Sequence, residues 1–306
     1  MRKRNLVCGI YLATLVTALA LLFGVSKTRA SSEHQHRSMS IGGGRDWPVK
    51  DCSELRMRFD DREAVVRSEE KTLPKSEVSV LQVRPHHNGG VQVLGWDKDL
   101  YEVTACKAAR ADGDAEKILS EIHLVVDGTK VSVTGPSYED GWTVYLLVKA
   151  PKSVSLDVET ENGPVAVYDI GGKLTAHATN GPISLKNFSG DADVRAVNGP
   201  IRLEGSSGNV RVRTENGPIS VDLAGTSWSG AGLSADAQNG PVTLHVPSGY
   251  QSSFVVESKG YSPVSCHASI CGQARKTWDD DHKRIEYGTG PAVIRMSTVN
   301  GPMAVE

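Results

Sequence analysis

Along the second half of the chain, apolar and polar residues alternate in short runs that recur at a fixed interval. Asn-Gly-Pro occurs six times, beginning at Asn162, Asn180, Asn198, Asn216, Asn239 and Asn300; the first three intervals are 18 residues each, the fourth is 23 and the last is 61. Counting forward from each Asn, the third residue is Val165, Ile183, Ile201, Ile219, Val242 or Met303, and the fifth is Val167, Leu185, Leu203, Val221, Leu244 or Val305. All are apolar. The fourth and sixth positions are mostly polar, including Ser184, Arg202, Lys186, Glu204, Asp222 and His245. Counting back, the sixth residue before each Asn is Leu156, Leu174, Ala192, Val210, Leu233 or Ile294, and the fourth is Val158, Ala176, Val194, Val212, Ala235 or Met296. Alternation with period two is the pattern of a half-buried strand. Each repeat therefore predicts one strand on either side of the tripeptide, and a second turn at Gly171-Gly172, Gly190 or Gly208 closes an 18-residue coil.

The tripeptide reads as corner chemistry. Asn and Gly tolerate the left-handed conformations that tight corners use, and Pro fits the start of a strand because its missing N–H costs little there. Coils stacked about 4.8 Å apart would also bring the Asn side chains over one another as an amide ladder.

The first half carries shorter alternating runs, predicting strands around Val78–Val80, Val91–Val93, Tyr101–Val103, His123–Val126, Lys130–Thr134 and Thr143–Val148. Between them, Ala115, Ile118, Leu119 and Ile122 recur at helical spacing, with Asp112 and Asp114 near the start as caps, which predicts one short helix. The expected fold class is all-β. Residues 51–150 would form a β-rich cap with that helix, and 151–306 a β-solenoid of about 18-residue two-strand coils, interrupted by an insertion at 248–290. Two strands cannot bury a core alone, so each coil depends on its neighbours and the ends need capping. Specialised function is expected in the insertion, where departures from a repeat concentrate.

Composition adds a compartment. Residues 1–30 combine Arg2, Lys3 and Arg4, an apolar run from Leu6 to Val25 and Ala30 before Ser31, the pattern of a secretory signal peptide. The run is nearly long enough to span a bilayer, so an uncleaved N-terminal anchor is the competing reading. Residues 31–50, with Gly42-Gly43-Gly44, His34 and His36, read as a flexible linker. Either reading of the N-terminus places the protein in the periplasm, on the cell surface or outside the cell. Beyond Cys8 there are four cysteines, Cys52, Cys106, Cys266 and Cys271, an even number that favours disulfides in an oxidising compartment. Three pairings are open; Cys266 with Cys271 would close a small loop and leave Cys52 with Cys106.

Net charge is -2, with 34 basic and 36 acidic residues interspersed, which gives no field for nucleic acid, and no nucleic-acid partner is expected. The chain lacks a Gly-rich phosphate loop, a His-Glu-x-x-His and a Gly-x-Ser-x-Gly elbow. No cofactor or resident metal is expected. Glu204 and Asp222 occupy one position on adjacent coils, where paired carboxylates could cleave a glycosidic bond, although a solvated face is the simpler reading. Trp228 and Trp278 fall in the two irregular segments and are the expected contacts for a sugar face, if exposed.

Several runs together resemble a known family: Gly89 to Trp96, the helical stretch after Cys106, Val154 to Thr160 leading into Asn162-Gly163, and Ile294 to Gly301. They resemble the bacterial putative-adhesin domain of unknown function, over roughly Val78 to Glu306. That resemblance implies a right-handed β-solenoid and brings no catalytic residues with it. The expected function is a non-enzymatic, adhesin-like envelope protein that presents a rigid face to polysaccharide or to a surface protein. The alternatives are a polysaccharide-active enzyme and a self-assembling scaffold.

Overall fold

The computed structural model describes residues 39–42, 48–85, 87–111, 114–137, 141–260, 262–279, 282–291 and 293–306. The expected signal or anchor at 1–30 lies outside them, as do His34, His36 and Asp112. Among the described residues no helix is long and apolar enough to cross a membrane. Ser38–Glu306 form one compact unit. It is all-β apart from 3-10 turns and one short helix, Ala115–Glu121, whose Ala115 and Leu119 face the core.

The repeat dictates the register. Strands Ser155–Asn162, Lys173–Asn180, Asp191–Asn198, the second half of Ile201–Asn216, Ser229–Asn239 and Ile294–Asn300 pair in parallel, with each Asn opposite the next. A second parallel stack holds Val165–Tyr168, Ile183–Ser189, the first half of Ile201–Asn216, Ile219–Leu223, Val242–His245 and Met303–Val305. Both stacks belong to one large mixed sheet of 22 strands. Every apolar residue counted from the tripeptides is buried, from Leu156 at 2% exposure to Val305 at 0%. The two stacks therefore enclose an apolar interior lined from both sides, whose burial is the main stabilising term.

At the corners the six Asn side chains form an unbroken amide ladder. Asn180 donates to Asn162 (2.8 Å), Asn198 to Asn180 (2.9 Å), Asn216 to Asn198 (3.0 Å), Asn239 to Asn216 (3.0 Å) and Asn300 to Asn239 (2.9 Å). The expected left-handed corner does not account for the Asn residues, although Gly217 and Gly240 lie at positive φ (+159° and +158°). Among the described residues, the non-glycine positions with positive φ are Asp60, Asp61, Asp169 and Asn187, none of them in the ladder. Glycine follows each Asn because a Cβ on Gly181, Gly199 or Gly240 would lie 2.1–2.2 Å from the carbonyl oxygen of the glycine one coil earlier. Inside the corner, the buried hydroxyls of Thr160, Thr214 and Thr298 donate to the carbonyls of Gly163, Gly199 and Gly240.

Two features lie outside the sequence expectation. One is an earlier coil: Leu81–Arg84 pairs in parallel with Ser155–Asn162, and Gly89–Trp96 with Val165–Tyr168. Gly163 stacks on Gly89, so Asn88-Gly89-Gly90 occupies the place of a seventh tripeptide. The expected strand at Val78–Val80 accordingly begins later, at Leu81, and Val80 is exposed.

The other concerns the segment at 248–290. Its strands Phe254–Ser258 and Val264–Cys266 do not interrupt the stacks between Asn239 and Asn300. They lie beyond the last tripeptide, paired with Ile294–Asn300 and Met303–Val305. The sixth coil is thus inserted between the fifth coil and the excursion, which ends the stack as a cap. An antiparallel hairpin, Arg275–Trp278 with Lys283–Tyr287, covers the edge of Phe254–Ser258. Its turn is held by backbone hydrogen bonds between Asp279 and His282.

At the opposite end, Val65–Pro74, Leu100–Ala109 and Trp142–Pro151 form antiparallel pairs. Val65–Pro74 is bridged to His123–Asp127 by side chains: Lys71 Nζ donates to the Leu124 carbonyl (2.6 Å), and the Leu124 N–H donates to Glu69 (3.1 Å). These bonds occupy backbone groups that an open edge would expose. Outside this sheet a second small core gathers Val49, Leu55, Met57, Phe59, Cys106, Tyr145 and Leu147. Part of the expected linker 31–50 is ordered there. Met39–Gly42 pairs with Arg56–Phe59, and buried Val49 exchanges both backbone hydrogen bonds with Gln92 (2.8 and 2.7 Å).

Both disulfides form. Cys52–Cys106 ties the second core to the sheet across 54 residues, and Cys266–Cys271 closes a five-residue step in the cap. Disulfides persist in oxidising compartments, so the pair fits an extracytoplasmic protein. On a loop-entropy scale the longer closure contributes about 4 kcal/mol and the shorter about 2 kcal/mol. Replacing Cys52 and Cys106 by Ser is expected to lower the thermal midpoint about twice as far as replacing Cys266 and Cys271. Equal shifts would show that loop length does not govern their contribution.

Candidate functional site

The in-register stacks present side chains in straight rows. On the first stack, Asp157, Thr175, Asp193, Arg211, Ser234 and Arg295 form one outward row, and Glu159, His177, Arg195, Arg213, Asp236 and Ser297 the next. Rows of this kind fix spacing in two directions: about 4.8 Å between coils and about 6.6 Å between alternate residues of a strand. Local ion pairs brace them. Arg84 bonds both Asp157 (2.7 Å) and Glu159 (2.9 Å), Arg195 bonds Glu215 (2.5 Å), and Asp236 accepts from Ser234 (3.1 Å) and Ser297 (2.7 Å). Arg211, Arg213 and Arg295 are exposed.

On the second stack, Glu204 and Asp222 are register neighbours. Asp222 is held by Arg202 Nε at 3.0 Å, and His245 lies between Asp222 (3.9 Å) and Glu306 (3.6 Å). Their rung spacing is close to the roughly 5 Å of a retaining glycosidase pair. The setting differs: these side chains stand on an open face, and one carboxylate is already engaged by a guanidinium. At the start of this stack the outer face is covered, with Ala166 and Tyr168 buried rather than outward and solvated.

The two tryptophans part company. Trp278 is 50% exposed on the outer strand of the cap hairpin. Trp228 is not the surface contact the sequence suggested: it is 7% exposed, with its indole N–H donating to the Gly208 carbonyl (3.1 Å) and its backbone N–H to Ser252 (2.9 Å). The irregular coil at Thr226–Ala231 turns this ring inward to pack against the core. A third tryptophan, Trp96, has the ammonium groups of Lys98 and Lys149 near its ring, at 4.5 and 5.7 Å.

Displaced titrations trace to packing and local ion pairs. Burial raises Tyr145, with a smaller contribution from nearby Tyr168, and burial pushes Tyr250 up to about 12. Hydrogen bonding from Arg275 holds the Glu286 carboxyl below its usual range. Among the described residues no group of three or more His, Cys, Asp or Glu side chains is arranged to hold a metal ion. A groove of about 820 Å³ lies beside the Cys52–Cys106 disulfide and is lined by residues that include Lys50, Arg56, Glu63 and Glu70.

No family model matches the chain, and no curated protein matches it in sequence. Several solved structures align with most of the chain at low identity. A putative cell adhesion protein from Clostridium sporogenes aligns over 79% of this chain and 99% of its own, at 12% identity and a TM-score of 0.32. A putative adhesin from Bacteroides fragilis aligns over 78% and 97%, at 10% identity and a TM-score of 0.39. A putative lipid binding protein from Parabacteroides distasonis aligns over 78% and 97%, at 9% identity and a TM-score of 0.29.

Proposed function

We propose that the chain is an exported, non-enzymatic, adhesin-like module. In this reading its two parallel stacks form a right-handed β-solenoid, and the straight outward rows are a rigid face for polysaccharide or a surface protein at the cell envelope. The observation that carries the proposal is the in-register stacking of all six Asn-Gly-Pro corners and of the strand positions that flank them. It presents ionic and hydroxyl side chains at fixed intervals without requiring any of them to move. A preorganised face loses little conformational entropy on binding, which suits a ligand that is itself periodic. Trp278, 50% exposed on the cap hairpin, offers a separate flat apolar contact outside those rows.

The test is retention of the full chain on envelope polysaccharides, with the supernatant assayed for reducing ends. Retention without release supports the binding module, and Trp278→Ala should then weaken it. Release of sugar that disappears in Asp222→Asn would replace this proposal with a glycosidase. Neither retention nor release would remove polysaccharide as the ligand.

A further inference from the structure

The protein holds seven Asn-Gly steps, the dipeptide most prone to spontaneous deamidation: Asn88-Gly89 and the six of the Asn-Gly-Pro repeat. In that reaction the backbone nitrogen of the glycine attacks the Asn side-chain carbonyl carbon. A new N–C bond closes a succinimide ring, the bond from Cγ to Nδ2 breaks, and ammonia leaves with the proton from the glycine nitrogen. Water then opens the ring at either carbonyl, leaving Asp or isoaspartate. The step needs a glycine N–H released from its acceptor and an Asn amide free to turn toward it.

Five of the six corners hold both groups. The N–H of Gly163, Gly181, Gly199, Gly217 and Gly240 donates to the backbone carbonyl of the next ladder Asn, at 2.9–3.1 Å. The side-chain amide oxygens of Asn162, Asn180, Asn198, Asn216 and Asn239 each accept from the next Asn. Releasing one corner therefore means separating two coils.

The sixth corner is guarded differently. Gly301 N–H donates to the hydroxyl of Ser262, a side chain in the cap, at 3.1 Å. Asn300 donates to Asn239, but among the described residues no further ladder Asn follows it to donate to its own amide oxygen. Exposure does not separate the corners, since all six ladder Asn are exposed. Rotation of one hydroxyl frees the nucleophile, and no coil has to separate.

We propose that Asn300-Gly301 is a built-in modification site of this protein, converted to Asp or isoaspartate while the other five Asn-Gly-Pro corners stay intact. Conversion replaces the last donor of the ladder by a carboxylate, and the isoaspartate form adds a backbone methylene where the cap meets the sixth coil. The product thus weakens the seat of the cap rather than the middle of the stack.

Trypsin offers a direct comparison, because Met296–Glu306 contains Asn300 as its sole Asn and Ala196–Arg202 contains Asn198 as its sole Asn. The full chain is incubated folded at mildly alkaline pH and both peptides are followed by mass spectrometry, with isoaspartate scored by enzymatic methylation. Asn300 is expected to convert at least about fivefold faster than Asn198, equivalent to about 1 kcal/mol. Ser262→Ala should accelerate Asn300 and leave Asn198 unchanged, and unfolding in urea should bring the two rates together. Equal rates in the folded protein, or an Asn300 rate insensitive to Ser262→Ala, would overturn the assignment.

Discussion

Ile201→Asp is expected to unfold the coil stack, whereas Glu204→Ala three positions away is expected to leave it intact. Ile201 is 1% exposed and lies between Ile183 and Ile219 in the register. Replacing it removes roughly 1.5–3 kcal/mol of apolar burial and places a carboxylate where the neighbouring rows offer only aliphatic side chains, at a cost of several kcal/mol more. A loss of about 5 kcal/mol in a domain this size corresponds to a drop of about 10–20 °C in melting temperature. Glu204 points outward, and its truncation should stay within about 0.5 kcal/mol. Similar melting temperatures for the two variants, followed by circular dichroism, would refute the in-and-out register.

The second large effect is expected at a residue with no side chain. In Gly199→Ala the new Cβ would sit 2.1 Å from the Gly181 carbonyl oxygen and 2.7 Å from its carbon. Both obstacles are backbone, so the coils must part, which strains the Gly181 N–H bond to Asn198 (3.1 Å) and the Asn198 to Asn180 amide bond (2.9 Å). Overpacking of this kind costs about 1–3 kcal/mol, with the weakened ladder adding to it. Gly272→Ala is the control, since a Cβ there meets nothing within 4 Å. If urea titration gives both variants the stability of the parent, close approach of the coils is not the reason for glycine at the corner.

These two variants also mark what the sequence made legible. The pattern around Ile201 was readable because a parallel stack repeats its instructions: the same inward positions recur after each Asn, so one register assigns all six coils. The reason for Gly199 was not readable, because a clash between neighbouring coils leaves the same glycine in the sequence as a left-handed turn would. The coil at 81–96 escaped notice since it lies 74 residues, rather than 18, before its partner at Val165, and carries Asn88-Gly89-Gly90 in place of the full tripeptide. Its traces were the alternation of Leu81 with Val83 and of Val91 with Val93.

The position of the cap was hidden for a related reason. Intervals between tripeptides report how far the chain travels, not which side of a strand it returns to, so 61 residues could mean an interruption or an insertion. Ser262 carried no signal of its own, being one serine in an irregular segment. Trp228 lies inside although an extra length of coil usually bulges outward. Here it folds a large apolar ring back onto the core, where one carbonyl, that of Gly208, accepts its N–H.

The amide ladder also gives the stack a sense of direction. In each of the five bonds the amide of higher residue number donates to the one of lower number, so all point the same way from Asn300 to Asn162. Aligned amide dipoles polarise one another along such a chain. The row therefore has unlike poles, with an N–H-bearing terminus at Asn162 and a carbonyl-bearing terminus at Asn300, and a molecule lying along it would meet a different electrostatic partner at each end.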